Sequence, residues 1–147
     1  MEGGVANDNA ERPDELKMWL AVRTDIEMSK GKLAVQAMHA AGWLHLLAFN
    51  DFPELMQAYM GQATPKICVK AKNLAALERI EREAVAAGIP CYTVADAGRS
   101  EVEPGTKTVC MFGPAYRKDL PKYLRELNML KDAAPDGDRR GSDEAGA

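Results

Sequence analysis

Short apolar runs alternate along the chain with longer segments whose apolar residues recur at helical spacing. Residues 18–23 (Met-Trp-Leu-Ala-Val-Arg) form an apolar run before polar Thr24-Asp25 and read as a buried strand. Met28-Ser29-Lys30-Gly31 reads as a loop with Ser29 as helix N-cap, and a helix is predicted from Lys30 or Gly31 to Ala48. Asp51-Phe52-Pro53 opens a short helix to Met60, ended by Gly61. Residues 66–70 are a second strand. Asn73 caps a third helix over 74–87, with Leu74, Leu77, Ile80 and Ala84 inward, a Glu/Arg run outward as a solvated face, and Gly88 as its stop. Residues 90–95 are a third strand. Pro104-Gly105 makes a turn, 106–112 a fourth strand broken by Gly113-Pro114, and 121–130 a last amphipathic helix. Strands alternating with helices predict an α/β sandwich. The short link between the last two strands favours an antiparallel pair, hence a mixed sheet.

The first long helix carries two stripes. At about 100° per residue, Leu33, Ala37, Ala40, Leu44 and Leu47 share one face, the predicted core. Lys32, Gln36 and His39 share a second stripe roughly 90° away, which places a cation, an amide and an imidazole on the border of the buried face. Trp43 continues this stripe as a core or rim aromatic, and His45 reads as structural.

The 147 residues suit one compact domain, and 46% apolar with 28% charged residues excludes a fibrous or wholly disordered chain. No apolar run approaches the roughly 20 residues of a membrane span, and Met1-Glu2-Gly3-Gly4 does not open a secretory signal. The net charge of -3 is unevenly spread. Residues 1–16 hold Arg12 against five acids and residues 131–147 hold three bases against five acids, which leaves a mildly basic 17–130. Both ends are expected to be disordered acidic tails flanking one domain over 17–130. Cys68, Cys91 and Cys110 lack metal-type spacing and read as buried thiols of a reducing compartment.

Three segments carry candidate chemistry: Gly31–Ala40, Asp96-Ala97-Gly98-Arg99-Ser100, and Pro104-Gly105-Thr106-Lys107-Thr108-Val109. Ligands tend to sit at strand ends in such folds, so the Asp96 loop and Lys32 could face one cleft. Together with Arg23-Thr24-Asp25, Gln62, Pro65-Lys66 and Gly113-Pro114, these segments resemble, over about 17–130, the second, metal-independent family of peptidyl-tRNA hydrolases, the archaeal and eukaryotic type.

The resemblance implies a three-layer α/β/α sandwich with a four-stranded mixed sheet, often dimeric. It also implies a cytoplasmic enzyme that needs no metal or cofactor and hydrolyses the ester between a peptide and the tRNA 3′ end. Its catalytic positions fall on Lys32, Asp96, Ser100 and Thr108, with Gln36, His39 and Arg99 as substrate-binding neighbours. Ser100 stands where the family has Thr, Glu101 where it has Gln, Met111 where it has Gly, and Ala37-Met38 departs from the common pair.

The chemistry suits these groups. Asp96, with a pKa raised by burial, would orient or deprotonate water. Lys32 would hold the developing oxyanion or a terminal phosphate. Ser100 and Thr108 would position water or the ribose, and Arg99 would bridge Asp96. Each also has a plainer reading: a surface lysine, a hydrogen-bonded histidine, turn chemistry at Asp96-Gly98, β-propensity at Thr108. A Cys91–His39 nucleophile pair has nothing in the sequence to bring it together. The rivals to the hydrolase are a non-catalytic RNA- or protein-binding module of the same fold and a hydrolase of another acyl ester.

Overall fold

The computed structural model describes residues 15–98 and 102–131. The expected terminal tails therefore lie outside the described residues, apart from Glu15, Leu16 and Lys131. Four strands, β1 (Leu16–Arg23), β2 (Lys66–Ala71), β3 (Cys91–Ala95) and β4 (Lys107–Tyr116), form one sheet in the order β2-β1-β4-β3. β1 pairs parallel with β2, and β4 pairs antiparallel with both β1 and β3. The sheet is mixed, as predicted, and β1, β2 and β3 all point the same way. Their following loops emerge at one end of the sheet.

Helices cover both faces. The apolar run of β1 alternates: Leu16, Met18, Leu20 and Val22 pack with α1 (Lys30–Asp51) and α2 (Pro53–Met60), together with Val94, Val109 and Met111. Trp19 and Ala21 face the other way, with Phe112, Cys110 and the inward residues Leu77, Ile80 and Ala84 of α3 (Leu74–Ala86). Trp19 and Phe112 stack with centroids 5.4 Å apart. The predicted caps hold: Ser29 Oγ accepts from Lys32 N at 3.1 Å and Asn73 Oδ1 from Ala76 N at 2.9 Å.

Five expectations change. Gly113-Pro114 does not end β4, which runs on to Tyr116. Residues 17 and 19 of β1 pair with 115 and 112, so β4 carries one extra residue there. Gly113, at φ +123°, lets the strands close over this bulge, since a Cβ would lie 2.7 Å from Lys17 O.

The last helix is only α4 (Lys122–Arg125). Beyond it Lys70 N bonds Asn128 O and Leu130 N bonds Cys68 O, with Val69 bridging Met129. The unpaired edge of β2 takes the backbone groups that a longer helix would need.

Leu74, expected inward, is exposed at the start of α3. Cys68 is also exposed, because it points outward from an edge strand, whereas Cys91 is half-buried and Cys110 buried. The outer face of α3 does more than meet solvent: Thr93 Oγ1 donates to Glu81 at 3.1 Å, Lys107 pairs with Glu78 at 3.2 Å, and the Arg79 guanidinium lies 3.8 Å from the Tyr123 ring centroid.

Candidate active site

The side chains of β3 alternate, so Tyr92 and Val94 face α1 and Asp96 continues their side just past the strand end. The loop backbone fixes Asp96. Its N–H donates to Thr106 O at 2.8 Å, and its carbonyl accepts from Gly105 N at 2.7 Å. The predicted Pro104-Gly105 turn is thus the strap that holds the aspartate in place.

The Lys32 ammonium, one turn into α1, donates to Asp96 Oδ1, and both side chains are largely buried. Gln36 Nε2 donates to the same oxygen at 3.1 Å, and Gly98 N donates to Oδ2 at 2.6 Å. Thr108 Oγ1 donates to Gln36 Oε1 at 2.9 Å. The chain of hydrogen bonds from Thr108 to Gln36 to the accepting Asp96 carboxylate therefore has one sense, which sets the amide orientation of Gln36. A carboxylate offers about four acceptor positions. Among the described residues two donors meet Oδ1 and one meets Oδ2.

The expectation about Asp96 acidity reverses. Burial does push its pKa up, but the hydrogen bond from the Lys32 ammonium outweighs it. Gly98 N–H, the Lys32 charge and Gln36 add to that, and the carboxyl is held below its ordinary value. Asp96 is an ionised, weakly basic acceptor at neutral pH.

A cleft of about 540 Å³ opens between α1 and the edge strand β3, lined by Lys32, Gln36, His39 and Trp43 on one wall and Tyr92 and Asp96 on the other. Lys32 and Asp96 do converge, from elements 64 residues apart. His39 lies at the rim and is exposed. Thr108 is fully buried behind Gln36 and meets the cleft only through it. Arg99, Ser100 and Glu101 lie outside the described residues.

His39 and Cys91 are on opposite faces of the sheet, so no nucleophile pair forms. His45 is structural: its Nδ1 is 2.7 Å from Ala41 O and its ring lies against Tyr59. Gln62 and Pro65 serve the fold, accepting from Leu16 N and Met18 N, and Arg23 ties the end of β1 to Asp25 and to Lys107 O. Met111 packs in the core between Leu20 and Tyr92 on the adjacent strands.

Of the two places expected for Trp43, core or rim, it takes the rim: it is half exposed and stacks on Tyr92, with centroids 6.0 Å apart and planes at 19°. Tyr92 is the lining residue that the sequence reading missed, although the period of two along 92, 94 and 96 carried the signal. Among the described residues no group of three or more His, Cys, Asp and Glu side chains gathers as a metal site, and no helix is long and apolar enough to cross a membrane.

The family model for the peptidyl-tRNA hydrolase PTH2 matches residues 16–130. The chain belongs to that family. The peptidyl-tRNA hydrolase of Sulfolobus acidocaldarius is 35% identical over 120 residues, covering 78% of this chain and 100% of that protein. Those of Metallosphaera sedula and Sulfurisphaera tokodaii are each 36% identical, over 117 and 118 residues, covering 78% of this chain in both cases and 100% and 98% of the relatives. The matched region takes in all four strands and both walls of the cleft.

Proposed function

We propose that the chain hydrolyses the ester joining a peptide, or an N-blocked amino acid, to tRNA, and that the cleft between α1 and β3 is where it does so. The observation that carries the reading is the Lys32–Asp96 pair in a cleft of a chain whose relatives are peptidyl-tRNA hydrolases.

Water held on Asp96 Oδ2 attacks the ester carbonyl. The Lys32 ammonium, with three N–H groups of which Asp96 takes one, faces the oxygen that gains charge. The tetrahedral intermediate collapses with cleavage of the bond to the ribose oxygen. The water's proton ends on that oxygen, giving free tRNA and a peptide carboxylic acid. Because Asp96 is weakly basic, its part is to aim the water and hold the ammonium rather than to store a proton. Gln36 and Thr108 orient Asp96, Ser100 positions water or the ribose, and Arg99 braces Asp96. His39 contacts substrate at the rim.

The proposal includes a reaction without metal or cofactor, a single domain over 17–130 with disordered acidic tails, a cytoplasmic location, and a homodimer. Exposed Phe49 and Met60 are the dimer's candidate contacts. The test is hydrolysis of N-acetyl-aminoacyl-tRNA with and without EDTA, by wild type and Asp96→Ala. Cleavage that survives EDTA and is lost in the variant supports the reading. A well-folded wild type that binds tRNA without turnover would leave a binding module, and equal rates on a small ester would leave a general esterase. Sedimentation at micromolar concentration checks the dimer.

A further inference from the structure

α1 is apolar nearly all round, which is the pattern of a helix covered on every side, yet only one side of it is covered. Its core face carries Ala40, Leu44 and Ala48. On the opposite side Val35, Met38 and Leu46 form a solvent-facing apolar stripe with Gly42 between them, Met38 being 65% and Leu46 61% exposed. Met38, Gly42 and Leu46 line a shallow groove of about 250 Å³, which shares His39 and Trp43 with the catalytic cleft. The groove is a continuation of that cleft.

Charge divides the same surface. Exposed Lys30, Lys70 and Lys72 all lie toward the end of the sheet where the loops after β1, β2 and β3 emerge, Lys70 and Lys72 at its β2 edge and Asp96 at its β3 edge. From residue 33 to residue 65 the chain has no Lys or Arg. α1 leads away from the cationic end along this stretch. A polyanion is held at the first end and gains nothing along the second.

We propose that the Met38–Gly42–Leu46 groove is the subsite for the peptide part of the substrate, with a preference for apolar side chains upstream of the ester. The inference rests on the ester hydrolysis proposed above. It adds an orientation: tRNA toward Lys30, Lys70 and Lys72, peptide along α1. From His39 to Leu46 the helix rises about 10 Å, the reach of about three extended peptide residues. Trp43, stacked on Tyr92, forms the wall between the reacting centre and the groove.

The test uses two peptidyl-tRNAs with one tRNA and one esterified residue, preceded by Leu-Leu-Leu or Ser-Ser-Ser. Wild type is expected to favour the leucine substrate in kcat/KM by roughly fivefold to tenfold. The Met38→Gln/Leu46→Gln variant, changed only at exposed positions, should bring that ratio close to one. Val85→Gln, exposed on the far side of the sheet, should leave it as in wild type. The same peptides, amide-linked to 3′-aminoadenosine, give a binding ratio that needs no turnover. If hydrolysis fails but the leucine analogue still binds more tightly and the double variant abolishes that, the groove stands and the reaction falls. Equal kcat/KM and equal binding for the two peptides in wild type overturn the groove, as does a preference that survives in the double variant. A dimer that the double variant splits with the preference unchanged gives the stripe to a second copy and also overturns it.

Discussion

Thr108 acts on Asp96 through Gln36. Its hydroxyl is fully buried and donates at 2.9 Å to Gln36 Oε1, which turns the amide N–H group toward the carboxylate. Thr108→Val keeps the shape and removes the donor. Gln36 Oε1 is then buried without that partner, at a cost of about 1–3 kcal/mol in stability. The amide loses the contact that sets its orientation. The expected result is a fall in kcat of about tenfold or more with KM little changed, and recovery in Thr108→Ser. A purely structural role would lower the melting temperature and leave kcat intact.

Lys32 and Asp96 are each other's counter-charge and both side chains are largely buried, so each single substitution leaves a charge without its partner. Asp96→Asn and Lys32→Met should each lower kcat by about 100-fold or more. Both singles should also melt below wild type. The double variant should melt above at least one of them, because no lone charge remains. Thermal unfolding of the four proteins closes the cycle, and additive losses would show that the pair is not coupled.

This pairing was legible from sequence because the helical repeat put Lys32, Gln36 and His39 on one border, the Asp96 loop followed a strand end where ligands tend to sit, and the motifs around both resemble those of one family. What could not be read depended on neighbours outside the local pattern. The bulge that lets β4 pass Gly113-Pro114 needs the facing backbone of Lys17. The strand-like ending at Asn128–Leu130 needs the free edge of β2. The exposure of Cys68 follows from the position of β2 at that edge. The sign of the Asp96 shift is the most instructive case. Burial alone argues for a raised value, and only the position of the Lys32 ammonium shows which effect wins.

That sign has a pH consequence. A carboxyl whose native pKa lies below its unfolded value contributes stability that is full above the unfolded value, near pH 4, and is lost as pH falls through the native value. The Asp96 contribution should thus be constant from neutral pH down to about pH 5 and fade only below about pH 4. The acid limb of kcat/KM due to this group should fall in the same low range. Lys32→Met removes the main cause of the shift, so its residual activity should show an acid limb at higher pH. An acid limb that Lys32→Met leaves unmoved would assign the titration to a group other than Asp96.

The second oxygen of Asp96 depends on a glycine. Gly98 lies at φ +85°, and a Cβ there would come within 2.6 Å of Pro104 Cγ and 2.7 Å of its Cβ. Gly98→Ala therefore meets two obstacles: a left-handed backbone, which costs about 1–2 kcal/mol, and the proline ring. Relief requires the loop to move, and the 2.6 Å bond from Gly98 N to Oδ2 moves with it. The carboxylate then loses a donor and the water loses its aim. The variant should be less stable by about 2 kcal/mol or more and slower in kcat by about tenfold or more. Adding Pro104→Gly removes the ring atoms but not the backbone strain, so it should restore part of the stability. If the double variant also recovers activity, the steric push on the loop is what displaced the donor. If stability returns without activity, Pro104 itself helps to hold the strap that fixes Asp96.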